Sequence, residues 1–263
     1  MTSTSVHRSR ARLRQKLAQG RLVVGTFVKL APTDVLEAVA GAGWDLAVVD
    51  LEHSGLTDGE ALALVRHGDA LGLPVVVRVP TVDRALVNRL LEAGAAGIQL
   101  SSLASLAQLD ALRAAAHYGP AGDRSVSLGH RAAGYGATGL RGYLAAEREN
   151  PPLLVGQIEG QTADPVEKLA AGLDVVFVGT TDLQVALGLD PAVRTDADRL
   201  RDEIAGIEHA AGAAGVAFGG WAPALGAVDG LGLTGATYVL LGSDLQLLGA
   251  ALTAHRPTPV EEP

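Results

Sequence analysis

"EAVAGAGWDLAVVD", residues 37–50, runs from an Ala/Val stretch with helical character, past Gly41 and Gly43, into a β-branched run that ends on a carboxylate. Glycine just beyond a helix permits the left-handed conformation that closes the last turn. The apolar run that follows is continuous rather than alternating, as in a strand buried on both faces of a parallel sheet. The same punctuation recurs as "LLEAGAAGIQL" (90–100), "KLAAGLDVVFVG" (168–179), "HAAGAAGVAFGG" (209–220) and "LTGATYVLLG" (233–242). Repetition of helix, glycine and strand marks an α/β fold.

Working outward gives strands at 22–30, 46–51, 75–79, 97–100, 153–159, 175–179, 216–220 and 238–242, with helical stretches in nearly every gap. Eight such units in 263 residues predict a (β/α)8 TIM barrel. A doubly wound fold would need a glycine-rich phosphate loop after an early strand. "GTFVKLAP" lacks the three-glycine spacing, and no GxxxxGK[ST] occurs. No linker divides the chain, so 1–263 reads as one barrel domain with its core at about 20–250. The interval 101–152 is long: a helix at 104–117, a polar glycine-rich loop at 119–138, then a second short helix. An excursion of that size after the fourth strand is expected to overhang one end of the barrel.

Composition limits the partners. Hydrophobic residues are 48% and charged residues 19%, which suits a packed globular chain. Aromatics at 3% argue against a stacking platform for single-stranded nucleic acid. A net charge of −8 repels phosphate backbones and anionic membranes. The one basic cluster, "VHRSRARLRQK" (6–16), has Leu13 and Leu17 at helical spacing and reads as an N-terminal helix with a solvated basic face. No run of 18 apolar residues suggests a membrane span, and cytoplasm is the default expectation. The absence of cysteine excludes disulfides and thiolate metal sites.

Active sites of such barrels lie at the C-terminal ends of the strands. Strand two ends in "VVDLEH" (48–53), bringing Asp50, Glu52 and His53 there, where unpaired burial would cost several kcal/mol. Strand three adds Arg78, and strand five adds Gln157 and Glu159. Thr180, Thr181 and Asp182 follow strand six. Alternation puts Gln157 and Glu159 on one face, so Arg78, Gln157 and Glu159 can converge at the mouth. Simpler readings exist for each: Glu159 or Asp182 as helix caps, Arg78 in a structural ion pair, His53 as an ordinary half-buried histidine.

Taken together, the set suits enolisation beside a carbonyl. Carboxylates without Cys or ligand-spaced His favour a hard cation such as Mg²⁺ or Mn²⁺. Such a cation can polarise a 2-oxo acid, an arginine can stabilise the enolate oxygen, and a histidine oriented by an aspartate can move the proton. A Schiff-base lysine is the competing mechanism. Lys16 and Lys168 read as helical, so Lys29, near the end of strand one, is its sole candidate. No GxSxG or HExxH is present.

The segments "GTFVKLAP", "AGWDLAVVDLEH", "PVVVRVP", "LEAGAAGIQL", "GDRSVSLGHRAAGYG", "GQIEG", "VVFVGTTDLQVALG" and "LLGSDLQLL" resemble, in order, the class II pyruvate-dependent aldolases of the HpcH/HpaI type. The resemblance implies a divalent ion on Glu159 and Asp182, with Mg²⁺ or Mn²⁺ foremost and Co²⁺ or Zn²⁺ as options. It implies His53 as acid/base supported by Asp50, Arg78 at the pyruvate enolate, and Gln157 with the amides around Thr181 on the pyruvyl group. It also implies a hexamer, a trimer of dimers exchanging C-terminal helices, here 243–255. The expected substrates are a 2-oxo acid and an aldehyde; a synthase or decarboxylase on a specialised substrate is the alternative, and a non-catalytic binding barrel a remote one. The chain departs from the family's Gly-Pro-x-Asp-Leu with Gly179, Thr180, Thr181, Asp182 and Leu183, and has Ser101 and Ser102 after strand four. These changes make the expected pocket more polar.

Overall fold

Capping chemistry fixes where four of the helices start, and glycine fixes where several of them stop. Thr57 and Glu60 form a reciprocal capping box, and Gly72, at φ 72°, closes the far end of that helix. Asp83 caps the next one through the Ala85 and Leu86 amides, and Gly94, at φ 114°, ends it. After each such stop the chain enters a short apolar strand.

The computed structural model describes residues 4–190 and 192–256, so the ends of the 1–263 unit lie outside the described residues. Its strands are β1 (Val23–Val28), β2 (Leu46–Asp50), β3 (Val75–Val79), β4 (Gly97–Leu100), β5 (Leu153–Ile158), β6 (Val175–Val178), β7 (Ala217–Ala222) and β8 (Tyr238–Ser243). All neighbours pair in parallel, and β8 returns to β1 to close an eight-strand barrel. The helices are α1 (Ser5–Ala18), α2 (Asp34–Gly41), α3 (Asp58–Leu71), α4 (Arg84–Ala93), α5 (Leu106–Ala116), α6 (Gly139–Glu149), α7 (Val166–Ala170), α8 (Thr180–Ala186), α9 (Arg194–Ala213) and α10 (Asp244–Ala254). Between β7 and β8 the expected helix is replaced by two 3₁₀ turns, Leu225–Ala227 and Asp229–Leu231. Gly226 and Gly230 in that stretch weaken any longer helix.

Continuous burial along the strands reflects two apolar layers. Phe27, Leu46, Val48, Val76, Leu153, Val155, Phe177, Tyr238 and Leu240 belong to one cluster, which fills the barrel interior. Leu36, Val49, Leu64, Leu90, Ile98, Leu112 and Ile204 belong to the layer between strands and helices. Each such side chain contributes roughly 1.5–3 kcal/mol of burial. Among the described glycines the tightest approach to a backbone atom is at Gly219, where a Cβ would lie 2.1 Å from the Tyr238 carbonyl oxygen.

The N-terminal helix forms, and its basic residues are only partly solvated: Arg8 and Arg12 are exposed, but others turn inward. Arg10 is fully buried and donates to Glu147 at 2.8 Å and to the Ala95 carbonyl at 2.9 Å. His7 and Arg124 meet the same carboxylate, at 2.9 and 3.2 Å. Arg14 pairs with Asp174. A carboxylate buried on α6 requires these partners, and α1 supplies two of them. At the other end of the chain, α10 exposes Leu245, Leu247, Leu248 and Leu252. No helix among the described residues is long and apolar enough to cross a membrane.

Candidate active site

The ladder register builds the site row by row. Asp50 on β2 lies beside Arg78 on β3, and Arg78 beside Gln99 on β4. Arg78 donates from Nε to Asp50 Oδ1 at 2.8 Å and from Nη2 to Oδ2 at 2.6 Å, a bidentate pair. Its Nη1 stands 3.3 Å from Glu52 Oε2, and its Cζ lies 4.3 Å above the Phe27 ring. Burial works against ionisation of Asp50. The hydrogen bond and charge of Arg78, with the main-chain N–H groups of His53 and Glu52, outweigh it and hold the carboxyl below its ordinary range.

His53 follows on the loop after β2, with its side chain 56% exposed. Its main-chain N–H donates to Asp50 Oδ1 at 3.2 Å, while its ring Nε2 is 3.7 Å from Glu52 Oε2. Asp50 therefore supports His53 through the backbone and not through the imidazole, which corrects the sequence expectation. The reason is geometric: Arg78 takes both Asp50 oxygens inside the barrel, leaving Glu52 as the carboxylate nearest the ring.

Gln157 and Glu159 do share a face. Gln157 Nε2 donates to Glu159 Oε2, and Gln99, fully buried, donates from Nε2 to Gln157 Oε1 at 2.7 Å. Because a carboxylate only accepts, this chain of bonds fixes which way the Gln157 amide points. Ser102 holds the other Glu159 oxygen with its main-chain N–H at 2.6 Å and with its hydroxyl. Its φ of 48° is unusual for a non-glycine residue and aims that N–H at Glu159. Gly179 leaves room for the pair, since a Cβ there would lie 2.7 Å from Glu159 Oε2.

One cavity of about 410 Å³ opens at this end of the barrel. His53, Arg78, Gln157, Thr181 and Asp182 all line it, with Lys29, Phe27, Trp221, Ser243 and Gln246. Asp50 lies buried behind Arg78, and Glu159 stands behind Gln157 and against Gly179. Asp182 is exposed in the first turn of α8. Among the described residues no group of three or more His, Cys, Asp or Glu is arranged to hold a metal ion. The donor set of Glu159 and Asp182 nevertheless suits a hard divalent cation, which takes few carboxylates and completes its shell with water and substrate oxygens.

Gln99 was missed in the sequence, although a polar residue inside the apolar run "GIQL" was its signal. Trp221 and Gln246 carried no comparable mark.

Known proteins resemble this chain in sequence and in fold. The sequence model of a family described as HpcH/HpaI aldolase/citrate lyase matches residues 23–251. A hydroxypyruvate/pyruvate aldolase of Rhizorhabdus wittichii is 30% identical over 238 residues, 89% of this chain and 92% of that protein. A 5-keto-4-deoxy-D-glucarate aldolase of Shigella dysenteriae serotype 1 is 32% identical over 239 residues, covering 89% and 91%. The crystal structure of an HpcH/HpaI aldolase from Desulfitobacterium hafniense superimposes with a TM-score of 0.84 at 28% identity, covering 95% of this chain and 99% of that one.

Proposed function

The chain belongs to the HpcH/HpaI aldolase/citrate lyase family, and from that premise we propose that it is a divalent-metal-dependent aldolase joining the enolate of pyruvate, or a close 2-oxo acid, to an aldehyde. The observation that carries this reading is the bidentate Arg78–Asp50 pair, at 2.8 and 2.6 Å, whose arginine lines one cavity with His53, Gln157, Thr181 and Asp182. With Asp50 and Glu52 engaging one side, the guanidinium still has N–H groups on Nη1 and Nη2 for an enolate oxygen.

In cleavage, His53 accepts the proton of the substrate's C4 hydroxyl, directly or through water. The C3–C4 bond breaks, its electron pair enters the enolate, and C4 leaves as the aldehyde. The enolate C3 then takes a proton, and synthesis runs the same steps in reverse. Arg78 stabilises the oxygen that gains charge. Gln157 and the amides around Thr181 and Asp182 orient the 2-oxo acid. A divalent ion on Glu159 and Asp182, Mg²⁺ or Mn²⁺ by donor type, would polarise the 2-oxo group when bound.

The exposed leucines of α10 support a homo-oligomer in which this helix packs on another subunit, a trimer of dimers on the family pattern. A cytoplasmic setting belongs to the same reading. The test of the function is product analysis with pyruvate, Mg²⁺ or Mn²⁺ and a panel of aldehydes. Adduct formation that falls about 100-fold or more in His53→Ala supports the reading. Failure with every aldehyde contradicts it.

A further inference from the structure

The two oxygens of Glu159 are held unequally. Oε1 accepts twice from one residue, Ser102: from its main-chain N–H at 2.6 Å and from its hydroxyl. Oε2 accepts once, from Gln157 Nε2. Gln157 cannot turn its amide over, because Gln99 Nε2 donates to its Oε1 at 2.7 Å. Each carboxylate oxygen offers about two acceptor directions. Ser102 therefore fills Oε1, whereas Oε2 keeps one direction for a further partner.

The segment that carries Ser102 is clamped on both sides. The Ser101 N–H donates to the Val79 carbonyl on β3 at 3.1 Å, and the Leu103 N–H to the Gln157 carbonyl on β5 at 2.9 Å. Gln108, which closes the capping box of α5 with Ser105, reaches back to the Ser102 carbonyl at 3.4 Å. Between these anchors Ser102 takes a φ of 48°, in the left-handed region where glycine is the unstrained choice. Glycine would present the same N–H to Glu159. What serine adds at this strained position is the hydroxyl, and the hydroxyl is the second donor on Oε1.

We propose that Ser102 is a positioning residue that makes Glu159 a one-oxygen ligand, through Oε2, and so sets the cation site to prefer Mg²⁺ and Mn²⁺ over Ca²⁺. This rests on the metal-dependent reading of the site and deepens it. Mg²⁺ demands octahedral order, keeps several waters and is satisfied by few carboxylate oxygens. Ca²⁺ is larger, takes more oxygen ligands and readily uses both oxygens of one carboxylate. With Oε1 filled by Ser102, that second oxygen is withheld. Removing the hydroxyl frees one direction of Oε1 and, with it, the two-oxygen mode that suits the larger ion. The orientation of the carboxylate is loosened at the same time, which weakens binding of the smaller one.

The test is equilibrium binding of Mn²⁺ to the full-length protein, read from the electron paramagnetic resonance signal of the free ion, with Ca²⁺ as competitor. The ratio of the Ca²⁺ Kd to the Mn²⁺ Kd is expected to fall about 10-fold in Ser102→Gly relative to wild type. Glycine adopts the left-handed φ freely, so the thermal midpoint of this variant should be no lower than that of wild type. Ser102→Ala also lacks the hydroxyl and should show the same change in ratio. An unchanged ratio in both variants would overturn the proposal and leave Glu159 a ligand without this control. Equal weakening of both cations, with a lowered thermal midpoint, would overturn it too and reduce Ser102 to a structural contact. Wild-type protein that takes up no Mn²⁺, or Glu159→Ala that takes it up undiminished, would bring down the metal reading and this inference with it.

Discussion

At the scale of single residues, the site is organised by one carboxylate that is never seen by solvent. Asp50 is fully buried, yet it is kept ionised by Arg78 and two main-chain N–H groups. Asp50→Asn leaves the guanidinium without its bidentate partner, and kcat is expected to fall about 10²–10³-fold. Its linkage to stability has a definite sign. The folded carboxyl sits below the ordinary value of 3.8, so its stabilisation is complete above that pH and is lost as pH falls through the folded value. Denaturant titrations of wild type and Asp50→Asn should therefore diverge at neutral pH and converge on acidification below about pH 4. Strand alternation made Arg78, Gln157 and Glu159 legible in the sequence, because residues two apart must share a face. It did not tell which of Asp50 and Glu52 turns inward. That choice belongs to Arg78, 28 residues downstream, and no local pattern encodes it.

At the scale of elements, two helices depart from a pure barrel wall. Helix α1 joins α6 through Glu147, whose burial alone would raise its pKa. The charges of Arg10 and Arg124 and the His7 hydrogen bond overcome that and hold it well below the ordinary carboxylate range. Glu147→Gln strands buried arginines, and loss of about 3–5 kcal/mol is expected in chemical denaturation. An unchanged midpoint would show that the cluster does not bind α1 to the body. The sequence showed α1 as a helix but its basic face as solvated, because the compensating carboxylate lies 137 residues away from Arg10. Helix α10 poses the opposite case, an apolar helix with little to cover it. Leu248→Asp with Leu252→Asp should lower the molar mass seen by light scattering while leaving the circular dichroism intact. A mass equal to that of wild type would assign the exposed leucines no role in assembly.

At the scale of the whole molecule, the glycine-punctuated repeat was enough to predict the eight-strand barrel, since each unit states its own helix end and strand. What it could not state was the one crossover without a full helix, β7 to β8, or how far the rim residues reach across the mouth. The barrel brings β2, β3, β5 and the start of α8 to one cavity, where the proposed enolate chemistry would take place. The claim that binds these parts together is metal-assisted enolisation. It is tested most directly by exchange of the pyruvate methyl protons in D₂O, followed by NMR, with Mg²⁺ or Mn²⁺ and again with EDTA, in wild type and Glu159→Ala. The account predicts exchange with the metal, abolished by EDTA and by the substitution. Exchange that persists undiminished in EDTA would contradict it.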